Sequence, residues 1–481
     1  MPKKNAPQAL AAINHIVVLM LENRSFDHML GYLYADSGNV SPTGQPFEGL
    51  TGKESNPAVT GAAPVSVFAI SPATASTYYM PGADPGEGYA ATNAQLFGSS
   101  TAPTPPIATN QGFVGNFDST LVWEAKEKWS ILPGTVAADI MGMHTPQTLP
   151  VLSALARGFA VCDHWFGSVP TETLPNRAFV HAGTSLGHMD DSTKSFAAAT
   201  IYAALGKQGV SWMIYGYTSD PLTRMTFPDL VSEPDTNFGL FADFQAAAAN
   251  GTLASYSFLE PSWGSSGNSQ HPNYDVALGE QLIHDVYTAL RSSPAWNETL
   301  LIVTYDEHGG CYDHVAPPTD AVPPDASAGE FGFDFKRFGP RVPTLLISPW
   351  IPAGTVLRVP ASSMPFDHTS ILRTAEARWG VPNLTARDAV APDVSAALSL
   401  AAPRTDDPLS GVSPPLSQGT NPAAGRPSHL QQVYAELVAA LPVPDAHGDT
   451  AHTMPSLHTE ADYDRYIQAR LAAWKASRPA G

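Results

Sequence analysis

Cysteine is nearly missing from this chain: of 481 residues only Cys162 and Cys311 carry a thiol, which excludes a disulfide framework and a thiolate metal cage. Each thiol has apolar or aromatic neighbours, Ala160-Val161 and Tyr312, and the reading is two buried free cysteines. Positive charge is also scarce. Lys and Arg number 25 against 44 Asp and Glu, a net charge of -19, so most faces repel a nucleic-acid backbone and anionic lipid, and no nucleic-acid partner is expected. No apolar run approaches the roughly 18 to 20 residues that span a bilayer, so no integral membrane segment is expected. Met1-Pro2-Lys3-Lys4-Asn5 is basic, but the apolar stretch from Ala9 to Ile13 is broken at Asn14 and His15 before it could form a signal-peptide core. The expectation is a soluble chain, cytoplasmic unless a signal was removed earlier.

What is present is a pair of unusual strand endings. Leu300-Leu301-Ile302-Val303-Thr304-Tyr305 stops abruptly at Asp306-Glu307, and Ile16-Val17-Val18-Leu19-Met20-Leu21 stops at Glu22-Asn23. Apolar, β-branched runs of this kind predict buried strands, and open α/β sheets bind ligands where such strands end. Adjacent buried carboxylates repel each other and raise each other's pKa unless a cation compensates them. Glu22, Asn23, Asp306 and Glu307 would give an all-oxygen donor set for one divalent ion, suited to Mg, Ca or Mn and not excluding Zn. Either pair alone could equally cap a helix or solvate a loop.

The fold class predicted is α/β, a large, mostly parallel central sheet covered by helices on both faces. Residues 35–115, rich in Gly, Pro, Ser, Thr and Ala, read as an irregular excursion that forms a lid or pocket wall. Thr148 to Arg157 reads as a helix, Phe159 to Cys162 and Val342 to Ser348 as strands. Tyr274 to Ser293 is the clearest helix, with Leu278, Leu282, Val286 and Leu290 at four-residue spacing and Ile283 and Tyr287 beside them. The domain reading is a catalytic domain over 1–380, a Pro/Ala/Ser-rich wrapping segment over 381–427, and C-terminal helices over 428–481, at His429 to Leu441 and Thr459 to Trp474.

Between the two acidic strand ends, Ser168-Val169-Pro170-Thr171-Glu172-Thr173-Leu174-Pro175-Asn176-Arg177 holds Thr173 on a turn stiffened by two prolines. A hydroxyl there could be activated as a nucleophile by a neighbouring cation, or Thr171 and Thr173 could cap a helix that begins near Arg177. His271, His308 and His314 fall beside these segments, and His144 follows Met141-Gly142-Met143.

Taken in order, Glu22 to His28, Val169 to Arg177, Gln270-His271-Pro272, Asp306 to Val315 and Asp367-His368-Thr369-Ser370 resemble the phosphoesterase family of bacterial and plant phospholipases C and the acid phosphatase A type. The resemblance covers about residues 13 to 380. It implies an alkaline phosphatase-like core, one divalent metal ion held by Glu22, Asn23, Asp306 and Glu307, and Thr173 as the nucleophile that becomes phosphothreonine. One departure stands out: Thr171-Glu172 replaces the family's usual Gly-Pro before the nucleophile, which leans toward a broader phosphatase-like member. His271 and His314 are expected to be catalytic; Asn176, Arg177, His144 and His308 are expected to bind substrate. Arg24 is an alternative donor. A small-molecule or lipid phosphate ester is the expected substrate, and Trp123, Trp165, Trp212, Tyr215 and Trp263 are the aromatics available to a choline pocket. The competing readings are a sulfatase or phosphonate hydrolase, and a metal-stabilised binding protein without turnover.

Overall fold

The computed structural model describes residues 9–59, 61–443 and 453–478. Its centre is one eight-stranded sheet. In chain order the strands are β1 (His15–Leu21), β2 (Ala160–Val161), β3 (Trp212–Gly216), β4 (Phe238–Leu240), β5 (Tyr256–Leu259), β6 (Thr299–Tyr305), β7 (Thr344–Ile347) and β8 (Thr355–Val356). Their order across the sheet is β8-β2-β7-β6-β1-β5-β3-β4. All seven residues of β6 are buried. Successive side chains point to opposite faces, so both faces of the sheet are covered there.

Strands β1 and β6 run parallel, with Leu21 opposite Tyr305. This register releases Glu22 and Asp306 at the same level. Five of the seven strand pairings are parallel; β7 is antiparallel to both β6 and β2. The alternation of strand and helix patterns did not foretell that reversal, because residues 306–343 stay at the carboxyl end of β6 and start β7 from there without a crossover.

The helices used below are α1 (Phe26–Leu30), α2 (Tyr89–Phe97), α3 (Phe113–Glu127), α4 (Pro150–Gly158), α5 (Thr173–Ala182), α6 (Val276–Arg291), α7 (Thr369–Trp379), α8 (His429–Ala439) and α9 (Glu460–Ser477). Asp275 caps α6 by accepting from the Ala277 amide at 3.0 Å. Helix α4 starts with Pro150 in its first turn, where a missing N–H costs nothing. Glu280 of α6 accepts from the Val151 and Leu152 amides at 2.7 and 2.9 Å, tying α4 to α6. Leu282, Val286 and Leu290 are buried, but Leu278 is 41% exposed. Four-residue spacing advances about 40° per step around a helix of 3.6 residues per turn, so the leucine at one end of the series leaves the core face.

The 35–115 segment is less irregular than its composition suggests. It contains α2, which starts after Gly88 without any side-chain cap and so lacks the usual start signal. Its neighbours Phe113, Phe117, Ile140 and Tyr312 build a second, smaller core. Leu430, Val433 and Tyr434 of α8 and Ile467, Leu471 and Trp474 of α9 join the main core. Both cysteines are free and buried. Among the described residues no helix is long and apolar enough to cross a membrane.

Candidate active site

Asn23 follows β1 with φ of 53°, a left-handed conformation that Asn tolerates better than most residues. The turn points its backbone amide at Asp306 Oδ1, 2.9 Å away. Its side-chain carbonyl accepts from the Thr173 hydroxyl at 3.2 Å. Asp306 Oδ1 also accepts from the Glu307 amide at 2.8 Å. Gly309, at φ of 61°, packs so closely that a Cβ there would lie 1.9 Å from the Asn23 carbonyl oxygen. Its amide donates to Glu307 Oε2 at 2.7 Å. Glu22, Asn23, Asp306, Glu307 and Thr173 are all buried.

Thr173 is the first residue of α5, four positions earlier than the start expected near Arg177. Pro175 fits inside that first turn because amides there have no intrahelical acceptor. Asp191 accepts from the Leu174 amide at 2.8 Å, and its own amide donates to Glu172 Oε2 at 2.7 Å. Asn176, expected to touch substrate, instead staples the loop before α5. Its Oδ1 accepts from the Val169 amide at 3.1 Å, and its Nδ2 donates to the carbonyls of Val169, Thr171 and Glu172. Arg177 donates to Asp306 Oδ2 at 2.9 Å and to the Leu21 carbonyl at 3.1 Å, and lies 4.6 Å over the Trp263 ring. Only its Nη1 is without a partner.

Burial pushes the Glu22 carboxyl up to about 7; His271 opposes the rise and Asp306 adds to it. Glu307 is raised well above the usual carboxylate range by burial and then by Asp306. Glu22 Oε2 and Glu307 Oε1 are buried without any hydrogen-bond partner, and an unpaired buried carboxylate oxygen is costly. Excess negative charge, orphan oxygens and an all-oxygen donor set together fit a divalent cation.

Two more groupings have metal-like spacing. Asp84, Glu87 and His271 offer atoms within 4.8 Å of one another, as do Asp27, Asp313 and His314. The first grouping adjoins the site, since Glu87 accepts from Asn23 Nδ2 and His271 Nε2 lies 3.9 Å from Asp84. The second contains Arg341. His314 is 2.6 Å from Asp27 Oδ2, and among the described residues no hydrogen bond or ion pair links it to Thr173 or the four expected metal donors.

The other histidines are engaged inside the protein. His144 contacts Thr148 Oγ1 at 3.1 Å and meets His28 edge-on, and burial lowers its pKa to about 3. His308, expected to bind substrate, is wedged between Glu307 Oε2 at 2.9 Å and Gln95 Oε1 at 2.7 Å, so both ring nitrogens are engaged within the protein. Arg24, the alternative donor, is buried and donates to the carbonyls of Gln270 at 2.6 Å, Met80 at 2.7 Å and His271 at 3.1 Å. His271 stacks on Tyr274 and opens onto a cleft of about 320 Å³. An adjoining cleft of about 420 Å³ is lined by Glu87, Glu172, Trp123 and Trp129, and Asp84 and His429 line both. Of the five aromatics proposed for a choline pocket, only Trp123 is exposed.

Asp84, Glu87, Asp191 and His429 were not foreseen. Asp84-Pro85-Gly86-Glu87-Gly88, two carboxylates on a turn inside a stretch with little charge, was the one available signal. His429 Nε2 reaches Asp191 Oδ2 at 3.0 Å from the far C-terminal helix α8.

The phosphoesterase family model matches residues 13–382. Non-specific phospholipase C6 of Arabidopsis thaliana is 38% identical over 417 residues, covering 82% of this chain and 74% of the relative. Phospholipase C B of Mycobacterium tuberculosis is 32% identical over 447 residues, covering 82% and 80%. A solved structure from the alkaline phosphatase superfamily, from Vibrio parahaemolyticus, aligns over 52% of this chain and 64% of its own at 14% identity and a TM-score of 0.32. On the family model and the curated relatives, the chain belongs to the phosphoesterase family, hydrolases that act on phosphoric ester bonds.

Proposed function

We propose that this chain is a metal-dependent phospholipase C-type hydrolase that works through a covalent phosphothreonine ester at Thr173. The observation carrying the reading is the bond from the Thr173 hydroxyl to Asn23 Oδ1 at 3.2 Å, beside buried carboxylates with orphan oxygens. The preference for a lipid phosphodiester over a soluble monoester is supported by the relatives named phospholipase C. A divalent cation held by Glu22, Asn23, Asp306 and Glu307 would polarise the phosphoryl group and lower the pKa of the nearby hydroxyl.

In the first displacement Thr173 Oγ1 forms a bond to phosphorus while the bond to the lipid alcohol breaks. The departing alcohol oxygen takes a proton from His271, and the hydroxyl proton of Thr173 passes to solvent. In the second, water attacks phosphorus and gives a proton to His271, the bond from phosphorus to Thr173 Oγ1 breaks, and that oxygen takes back from solvent the proton it released in the first step. The products are the lipid alcohol and the headgroup phosphate. Arg177 holds Asp306 in register, and its free Nη1 is the donor available to an equatorial oxygen.

Acid quenching during turnover of a nitrophenyl phosphorylcholine diester, followed by peptide mass spectrometry, should find the headgroup phosphate on the peptide containing Thr173. The same diester should be cleaved faster than nitrophenyl phosphate, and a chelator should stop both. Turnover with no adduct on that peptide, or turnover indifferent to chelator, would refute the mechanism.

A further inference from the structure

Helix α3 ends at the mouth of the cleft in Trp123-Glu124-Ala125-Lys126-Glu127-Lys128-Trp129. The helix stops because Lys128 adopts a left-handed conformation at φ of 61°, and the chain then folds back so that the Trp123 and Trp129 rings lie 5.5 Å apart. Neither ring is buried. Trp123 is 49% exposed, Trp129 44%, and neighbouring Val122 67%. Val136, just before a turn packed against α3, is 54% exposed. Large apolar side chains gathered at one exposed edge need a partner more often than scattered ones do.

The charge beside these rings is unusual for this molecule. In a chain with only 25 basic residues, Lys126 and Lys128 stand between the two tryptophans; of the two glutamates in the same stretch, Glu124 is buried and Glu127 pairs with Lys126 at 3.5 Å. Arg426 joins them, donating to the Lys128 carbonyl at 2.6 Å. Amphipathic rings interleaved with lysines suit the interfacial layer of a bilayer, where indole sits at headgroup depth and ammonium groups meet phosphate.

Position decides between occupants. Both tryptophans line the cleft that contains Glu87, which accepts from Asn23 Nδ2, and Glu172, the neighbour of Thr173, so a second protein seated on them would close the cleft that adjoins the site. A lipid surface would instead deliver substrate to it. The overall charge of -19 argues against anionic bilayers and for a zwitterionic one.

We propose that Val122, Trp123, Lys126, Lys128 and Trp129 form a docking rim that seats the cleft mouth on a zwitterionic lipid surface. The inference rests on the phospholipase reading for its use in catalysis, but docking itself can be measured separately. The first experiment is co-sedimentation of the full chain with phosphatidylcholine vesicles, comparing the parent with Trp123→Ala/Trp129→Ala and with Val122→Asp/Lys126→Asp. Parent binding should weaken at least roughly tenfold in both variants, as expected for losing buried apolar area. Val122 and Lys126 do not line the cleft, so Val122→Asp/Lys126→Asp should hydrolyse a soluble nitrophenyl phosphorylcholine within about twofold of the parent while losing vesicle hydrolysis.

Equal vesicle binding by parent and variants would overturn the rim. So would a parent dimer that the variants dissociate, since the surface would then belong to a second copy. A parent that binds vesicles through the rim yet cleaves no ester would leave docking intact and defeat the functional reading instead.

Discussion

Strands β1 and β6 are followed by two buried acidic clusters drawn from neighbouring positions in the same two segments. In the first, Glu22, Asn23, Asp306 and Glu307 gather beside Thr173, and among the described residues the only arginine or lysine bonded to these four is Arg177, which reaches Asp306. In the second, Asp27 and Asp313 lie a few residues further along, and Arg341 bonds to both at 2.8 and 2.9 Å. The remaining donors of Arg341 go to the carbonyls of Glu48 and Asp163. Burial raises the Asp27 carboxyl, but Arg341 and the hydrogen bond from His314 outweigh it and hold it below its usual range. Glu22 and Glu307 have no such partner and rise. Arg341 thus compensates Asp27 fully and Asp313 in part, since burial still lifts Asp313 to about 6, whereas no arginine bonds to Glu22 or Glu307 among the described residues.

The largest effect is expected from Thr173→Ala. Ester turnover should fall by about three orders of magnitude or more, as for other covalent nucleophiles, while metal content measured by elemental analysis stays near normal. Substantial residual turnover would remove Thr173 from the chemistry.

Next comes Arg341→Met, which strands two buried carboxylates and should destabilise the fold by about 3 to 5 kcal/mol in a denaturant titration. Glu307→Gln should do the opposite to the metal-free protein, raising its stability while weakening metal binding. If both substitutions destabilise alike, the two clusters are the same kind of structure.

A smaller effect is expected with pH. The Glu22 carboxyl rises from 4.5 to about 7 in the folded, metal-free protein. The folded state thus holds its proton more tightly than the unfolded chain, and this stabilisation, full below pH 4.5, is lost as pH rises through 7. Thermal melts of metal-free protein should show a falling Tm from pH 5 to 8, and added divalent metal should reverse the fall. A flat profile would mean that the cluster is already compensated.

The smallest effect belongs to His429. Burial lowers its pKa, but Asp191, Glu172 and Asp84 outweigh that and raise it to about 8. Its pairing with Asp191 should stabilise fully below about pH 6.5, the ordinary histidine value, and fade as pH passes 8. His429→Ala should lower Tm slightly at pH 6 and not at pH 9. Equal losses at both would make the residue a packing element only.

Both central strands and their terminal carboxylates were legible because a continuous apolar run ending in charge is a local pattern. The two prolines singled out Thr173 from the residues alone, and the resemblance added the role expected of it. The direction of β7 was not legible, since composition does not encode which end of a sheet a strand enters. Nor was Glu87, which meets Asn23 across 64 positions of chain, or His429, whose partner Asp191 is 238 positions away. The bonds of Asn176 to its own loop were not legible for another reason: a motif position does not reveal whether an amide faces solvent or its own loop.

Arg24 links the two walls of the cleft. One guanidinium grips the carbonyl of Met80, just before the Asp84 to Glu87 turn, and the carbonyls of Gln270 and His271 on the other side. Any widening of the entrance that separates Glu87 from His271 must first break this clasp, so the two sides travel as one jaw. The spacing of the two walls is therefore set by backbone carbonyls held on one buried side chain, not by whatever occupies the space between them.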